Sequence, residues 1–351
     1  MIDPDLQFAV DLRDYNNAVE LDGIRYRRLD PRTDVPAVCE LFETVFHQSM
    51  APSYWQWKYL QGPGACSFGV VVEHMETERM IGHMGVLVLP GMRDGKALRM
   101  GQVCDVMLHP EYRAGIGPHS TYLRMNYALR QLAHSPCTQP PLYMYGFPGV
   151  RPANLGERIG VYRRLLVCNE YRTVSVQSDG FLIKNFLRHL NPWKLHMQHI
   201  QEADFLQMDS ALADVWQRYD KSNSLVPKII KNAAYIRWRY WMHPHQNLDD
   251  NQSLYTLWGL RKGSKLVGWL VTRMQPQPTV VDSCLSSEQI NEALQLLPIS
   301  SPESKKGWIS WLAQSQVPAV STPIHAVEVL GQPFHINWPS PDFQPGDTDV
   351  F

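Results

Sequence analysis

The residues with the clearest chemical signal lie between Val103 and Gly117. An apolar stretch through Leu108 ends at a His-Pro pair, and a short segment containing Arg113 and Gly115 follows. A buried strand that turns into a helix directs backbone N–H groups and the helix dipole at the turn. Glycine lets a phosphate approach the backbone closely, and arginine adds a permanent positive charge. The pattern indicates an anion site, although an ordinary strand-to-helix turn has the same local features.

Asp105 is an acidic residue inside this otherwise apolar strand. A buried charge is costly unless it is paired or has a function. Two interpretations stay open: a general base, or a structural carboxylate that is hydrogen-bonded to neighbouring backbone. Gln102 lies nearby but cannot take a proton, so deprotonation of a substrate through water is a third route.

The composition is that of a globular protein, and the length is enough for two domains. The chain has 351 residues, of which 44% are hydrophobic and 19% charged, and its net charge is −1. The near-neutral charge argues against nucleic-acid binding by bulk electrostatics, and no apolar run approaches the ~20 residues of a membrane span. Six cysteines and 13 histidines show no metal-ligand spacing. We therefore expect no metal and a reduced, cytoplasmic protein.

Hydrophobic periodicity predicts alternating elements over residues 24–175. The order is β-α-α-β-β-β-α-β-α-β. The predicted strands are 24–29, 68–73, 80–89, 99–108, 142–147 and 162–173, and the predicted helices are 34–46, 52–60, one that opens at Pro118, and 151–159.

The strand and turn resemble a known cofactor motif. The run Val-x-Leu-His-Pro-Glu-Tyr-Arg from Val106 to Arg113, followed by Gly-x-Gly, resembles the acetyl-CoA motif of the GCN5-related N-acetyltransferase (GNAT) superfamily, with the turn one residue shorter. The predicted element order is also that of the GNAT fold. The resemblance implies an α/β (α+β) domain with a mixed, mostly antiparallel sheet flanked by helices.

The same resemblance implies which residues bind acetyl-CoA or another acyl-CoA. The main chain of Val106, Met107 and Leu108 would pair with the pantetheine arm. The pyrophosphate would be bound by Arg113, Ala114, Gly115, Ile116 and Gly117. Asn154 matches an asparagine that lies near the cofactor arm in relatives, and its alternative role is a helix cap or turn residue.

The resemblance also suggests catalytic and substrate-binding residues, although their positions match those of relatives less directly. Asp105 lies near the position that relatives use for a base. The usual tyrosine acid is replaced by Leu155 and its neighbour, which leaves Tyr162 and Tyr145 as acid candidates, each with a buried core tyrosine as the alternative. Trp55 is the candidate for contact with the acceptor.

The rest of the chain looks like a second copy. Residues 54–59 match 235–240, Ile81-Gly82-His83 matches Val267-Gly268-Trp269, and Val103-Cys104-Asp105 matches Val280-Val281-Asp282, all in the same order. The repeated Asp282 favours a structural role for Asp105. We therefore expect an N-terminal extension (1–23), a GNAT domain (24–175), a linker (176–192) and a degenerate second GNAT-like domain (193–351), whose segment after Asp282 lacks His-Pro, Arg and Gly-x-Gly.

The sequence thus predicts an acyl-CoA-dependent N-acyltransferase, with acetyl moved from acetyl-CoA to a small-molecule or peptide amine as the first choice. One alternative is a Fem-like aminoacyl transferase, which also has twin GNAT-like domains, but the phosphate turn and the absence of a basic surplus count against it. The other alternative is a non-catalytic acyl-CoA-binding or assembly protein, which the shortened turn and the missing tyrosine favour.

Overall fold

A computed structural model describes residues 11–64, 66–113, 117, 119–134, 140–173, 194–222, 224–246, 253–274, 278–297, 308–311, 316–318, 324–331 and 342–348. The chain forms two compact units. The first unit comprises the chain up to Val167 and a later segment that begins at Ile324. The second unit begins at Cys168 and includes the segment 342–348.

The first unit contains the predicted elements in the predicted order, except that the strand predicted over 162–173 is divided: it ends at Cys168, and Tyr171–Thr173 form a separate strand of the second sheet. The elements of this unit are β1 (Ala18–Leu21), β2 (Ile24–Arg28), α1 (Val35–Phe46), α2 (Pro52–Leu60), β3 (Phe68–His74), β4 (Arg79–Arg93), β5 (Lys96–Leu108), α3 (Thr121–Ala133), β6 (Leu142–Gly146), α4 (Val150–Arg158) and β7 (Tyr162–Cys168). Strand β1 is additional and lies within the part that was expected to be an extension. Helix α3 begins at Thr121, so the predicted start at Pro118 is wrong. Ser120 caps this helix, since its hydroxyl accepts a hydrogen bond from the Leu123 N–H.

The sheet of the first unit has the strand order β1-β2-β3-β4-β5-β6-β16-β7, where β16 is Ile324–Val329. Strands β1 to β5 pair antiparallel in succession, and β5 and β6 pair parallel. Helix α3 packs on one face through Met125, Ala128 and Leu129, which join strand residues such as Val70 and Met84 in one hydrophobic core. This core fixes β5 between its neighbours.

The second unit has the same plan. Its elements are β8 (Tyr171–Thr173), β9 (Leu195–His199), α5 (Glu202–Phe205), α6 (Asp209–Ser222), β10 (Lys228–Ile229), α7 (Ala233–Ile236) with a π-helical turn (Arg237–Trp241), β11 (Tyr255–Lys262), β12 (Lys265–Arg273), β13 (Thr279–Cys284), α8 (Ser287–Gln295), β14 (Ile309–Ser310) and β15 (Gln316–Pro318). The sheet order is β15-β8-β14-β13-β12-β11-β9. Strands β13 and β14 pair parallel, as β5 and β6 do. The predicted fold of two α/β domains with mixed sheets and flanking helices is confirmed.

Each sheet contains a strand from the other half of the sequence. Strand β16 lies between β6 and β7 in the first sheet, and β8 takes the corresponding place between β14 and β15 in the second. The unit boundaries therefore differ from the expected domains 24–175 and 193–351, because the two copies exchange this strand. The expected linker 176–192 lies outside the described residues.

Candidate functional site

Strand β5 extends beyond its parallel partner. Its pairing with β6 runs from Arg99 opposite Leu142 to Val103 opposite Gly146, where β6 ends. Strand β5 continues to Leu108 and stays paired with β4 on its other side. Among the described residues, no strand pairs with β5 on the β6 side after Val103. The main-chain groups of this open edge can pair with an extended ligand.

The residues predicted to bind the cofactor arm lie on this open edge. The side chains of Val106 and Leu108 pack against the core under α3, and Met107 is fully buried. The side chains thus anchor this part of β5 in the unit, and its main-chain groups lie along the open edge. The Leu108 carbonyl already accepts a hydrogen bond of 2.8 Å from Nε of Arg113, so it is in part occupied.

Arg113 lies at the end of β5, after a 3₁₀ turn (Pro110–Tyr112), and its side chain is exposed. The bond to Leu108 uses only Nε and leaves both terminal amino groups for other contacts. Ala114, Gly115 and Ile116, which were predicted to bind pyrophosphate, lie outside the described residues. Gly117 is exposed, and its carbonyl accepts from the N–H of Ser120, the cap of α3.

The second unit has no comparable connection. Only Leu285 and Ser286 separate β13 from α8, whereas residues 109–120 separate β5 from α3. Ser286 and Gln289 also form a capping box at the start of α8, which occupies backbone groups there. The two units therefore differ in the length of this connection, which is long only in the first.

Asp105 lies on a bulge of β5, where an extra residue is inserted opposite β4. Its φ of +48° is in the left-handed region. Lys58 Nζ donates to both carboxylate oxygens, at 3.0 and 2.9 Å, and Tyr59 Oη donates to one of them at 2.6 Å. All three side chains are buried. The bulge therefore joins β5 to helix α2 through a buried ion pair.

These contacts bear on both interpretations of Asp105. Burial raises the pKa of its carboxyl, but Lys58, Tyr59 and His83 outweigh this and hold the pKa below its usual value. A carboxylate with a lowered pKa and both oxygens engaged is a poor proton acceptor. The geometry thus supports the structural role.

The second unit repeats this arrangement with a different lysine. Asp282 accepts from Lys231 Nζ and from Tyr240 Oη, each at 2.7 Å. Tyr240 matches Tyr59 in the repeat, but Lys231 precedes α7, and the residue that matches Lys58 is Arg239. The buried Asp–Tyr–Lys trio thus recurs in both units, as expected of residues with a structural role.

A glycine makes this contact possible in the first unit. A Cβ atom on Gly85 would lie 2.3 Å from Tyr59 Oη. We expect Gly85→Ala to lower the free energy of unfolding by about 1–3 kcal/mol, the usual cost of overpacking, because Tyr59 must move away from Asp105. Chemical denaturation measures this effect. Gly117→Ala is the control, since its Cβ meets no described atom within 4 Å; equal stability of the two variants would contradict the argument.

The two tyrosines predicted as acids are both buried. Tyr162 is in the core, and its hydroxyl accepts a 3.0 Å hydrogen bond from Tyr122 of α3. Burial raises the pKa of Tyr162 well above its ordinary value, so it is a weak proton donor. Tyr145 is on β6, opposite Gln102 and next to the end of the β5–β6 pairing, so it lies nearer the open edge.

Asn154 is within α4, whose cap position is Gly149, so the alternative role as a helix cap is wrong. Its side-chain oxygen accepts a 2.8 Å hydrogen bond from Arg164, which also pairs with Glu157. The carbonyl end of the Asn154 side chain is thus engaged within the unit.

Trp55 is 1% exposed and stacks on Tyr59 with ring centroids 4.9 Å apart. It lines a cleft on the α2 side of the sheet, together with Tyr15, Arg28, Leu29, Pro31, Tyr59, Leu60, Ser67, Phe68 and His83. Trp55, the predicted acceptor contact, therefore lies beside a cleft.

Sequence reasoning missed Lys58 and His83 as members of this region. His83 is fully buried, and its Nδ1 lies 2.8 Å from the Asp105 carbonyl oxygen. The available signal was the repeat, since the second copy has Trp269 where the first has His83. Within the described part of the chain, no group of three or more His, Cys, Asp or Glu residues could hold a metal ion, and no helix is long and apolar enough to cross a bilayer.

Comparison with known proteins gives a family and a fold. The family model described as Acetyltransferase (GNAT) domain matches residues 25–120. A probable N-acyltransferase from Enterococcus faecalis is 14% identical, with 87% of this chain and 73% of that chain covered and a TM-score of 0.57. A GCN5-related N-acetyltransferase from Anabaena variabilis is 13% identical, with 87% and 72% covered and a TM-score of 0.56.

A third structure is more distant in sequence. Saccharomyces cerevisiae N-myristoyltransferase with bound myristoyl-CoA is 8% identical, with 92% of this chain and 86% of that chain covered and a TM-score of 0.55. Among curated proteins, none matches this sequence. At such low identities the structures show the fold, and the family model shows the kind of domain. Residues 25–120 of the first unit therefore match the acetyltransferase (GNAT) domain family that the sequence motif resembles.

Proposed function

We propose that the chain is an acyl-CoA-dependent N-acyltransferase that moves an acetyl group from acetyl-CoA to the amine of a small molecule or peptide. The open edge of β5 after Val103 is the observation that carries this proposal. An unpaired strand edge offers main-chain N–H and C=O groups in the spacing that an extended, amide-containing pantetheine arm can match. Arg113 supplies charge for the phosphates at the end of the same strand.

Holding the thioester beside the amine is the main contribution of such a site, because it makes a bimolecular step local. The buried Lys58–Asp105 pair serves this purpose by fixing the bulge in β5. With the Asp105 carboxylate engaged, we assign deprotonation of the amine to ordered water. The description of the matching family supports acetyl as the transferred group. The likeness to N-myristoyltransferase makes longer acyl chains the first alternative to assay.

Two substitutions test the cofactor site by calorimetry with CoA. Arg113→Ala should weaken binding by about tenfold or more and reduce its dependence on salt, because a charge-assisted contact with phosphate is lost. Gly117→Val should also weaken binding, since a Cβ at this residue meets no described protein atom within 4 Å and would enter the space proposed for the ligand.

The control is Arg32→Ala, which removes an exposed arginine paired with Asp30 and should leave CoA affinity unchanged. Unchanged affinity in both test variants would place the phosphates elsewhere. Acetyl-CoA and myristoyl-CoA are then assayed as acyl donors, with a panel of amines as acceptors. CoA binding without turnover of any amine would favour the non-catalytic alternative, and transfer from aminoacyl-tRNA would favour the Fem-like one.

A further inference from the structure

The cleft beside Trp55 contains a histidine with a fixed proton arrangement. A carbonyl oxygen can only accept, so the 2.8 Å contact of His83 Nδ1 with the Asp105 carbonyl requires the hydrogen on Nδ1. In neutral His83, Nε2 then carries a lone pair. This atom is buried and has no hydrogen-bond partner among the described residues. Gly69 is its neighbour on β3, where a Cβ would lie 3.5 Å from Nε2.

Two buried donors line the same cleft. Trp55 Nε1, whose indole N–H can only donate, has no partner among the described residues. Arg28 Nε also has no hydrogen-bond partner among the described residues. The rest of this guanidinium is held in place, because its terminal nitrogen Nη1 donates to the Arg13 carbonyl and its carbon Cζ lies 4.3 Å from the centre of the Tyr15 ring. Buried polar groups in native proteins are rarely left unsatisfied, because they lose their hydrogen bonds to water without gaining others. The residues that line this cleft therefore include one hydrogen-bond acceptor, His83 Nε2, and two donors, Trp55 Nε1 and Arg28 Nε, that no described residue engages.

The second unit provides an internal comparison. Trp269 stands where the first unit has His83, and Ile236 where it has Trp55. The unit without a phosphate-type loop thus lacks both groups, although it keeps the Asp–Tyr–Lys trio that serves structure. This difference separates the cleft from the shared framework of the fold.

We infer that this cleft binds an amide group of the acceptor, with the amide N–H donating to His83 Nε2 and the amide oxygen accepting from Trp55 and Arg28. An amide has one N–H and an oxygen with two lone pairs, which matches the three groups in number and type. His83 is opposite Met107 in the β4–β5 register, one strand from the open edge of β5. The inference rests on the proposed function and narrows the acceptor to a peptide or another amide-containing amine.

The probe for this site is glycylglycinamide, and hexylamine and acetate are the comparison molecules. Nitrogen-15 spectra of the intact chain follow the His83 ring and the Trp55 indole, with each signal assigned by its own variant. We expect His83 to show a protonated Nδ1 and an unprotonated Nε2 before the probe is added. Saturating glycylglycinamide should shift both signals, whereas hexylamine and acetate should leave them in place.

His83→Asn is the decisive variant, because its amide N–H can still donate to the Asp105 carbonyl but nothing replaces Nε2. It should retain the wild-type melting temperature and bind glycylglycinamide at least tenfold more weakly, and Trp55→Phe should weaken binding similarly. Unchanged affinity in His83→Asn, or shifts caused by acetate alone, would overturn the inference. Calorimetry with CoA on the same samples keeps this outcome separate from a failure of the proposed function.

Discussion

Replacing Lys58 with methionine is expected to lower the free energy of unfolding by about 3–5 kcal/mol, the usual cost of removing one partner from a buried ion pair. Lys58 and Asp105 are 4% and 6% exposed in their side chains, and the ammonium contacts both carboxylate oxygens. The variant would leave the carboxylate buried with Tyr59 as its side-chain donor. Urea denaturation at pH 7 measures the change.

Two controls distinguish loss of a buried charge from loss of a side chain. The double variant Lys58→Met with Asp105→Asn removes both charges and should recover most of the stability, since the amide oxygen can still accept from Tyr59. Arg32→Met removes one partner of the exposed pair with Asp30 and should cost less than about 1 kcal/mol. A double variant no more stable than Lys58→Met would contradict the ion-pair explanation.

The same pair gives the chain an acid dependence with a defined sign. The folded-state pKa of Asp105 lies below its ordinary value of 3.8. The stability that this carboxylate contributes is therefore present above the unfolded-state pKa and is lost as the pH falls through the folded-state pKa. In the Lys58→Met variant this acid dependence should weaken, because the main opposite charge is gone.

The element order of the first unit could be predicted because hydrophobic periodicity is a local property. Helix α2, for instance, has the predicted bounds, Pro52–Leu60. The exchange of β8 and β16 could not be predicted, since an alternating pattern shows that a strand is half-buried but not which sheet it joins. The two strands are separated from their sheets by long stretches of sequence, and no local signal reports such pairing.

The part of the site that consists of the β5 main chain and the Val106–Arg113 motif could be predicted from the sequence. The segment Val106–Arg113 follows from its residues, and the open edge of β5 was implied by the resemblance. The partners of Asp105 were not predictable, because Lys58 lies in a distant helix and the second unit uses Lys231 from another position. His83 was missed because a lone histidine in an apolar strand is more often a core residue than a ligand contact.

Raising the pH from about 4 to 6 is expected to destabilise the second unit through Asp347. Lys231 donates to Asp282 at 2.7 Å and to Asp347 at 2.9 Å, so one buried ammonium faces two buried carboxylates. Burial raises the pKa of Asp347 most, Asp282 raises it further, and Lys231 and Gln344 lower it, with a result of about 6 against an ordinary 3.8. A proton on Asp347 therefore neutralises the excess negative charge beside the single ammonium.

The sign follows from proton binding by the two states. Between pH 3.8 and 6 the folded protein holds a proton that the unfolded chain has released, so stability falls as the pH rises and levels off above the folded-state pKa. A shift of this size corresponds to about 3 kcal/mol at most. Denaturation midpoints of the second unit measured across this range should show the decline. Asp347→Asn should abolish it, and Asp204→Asn, which changes an exposed carboxylate of the same unit, should not; a slope that survives in Asp347→Asn would assign the titration to another group.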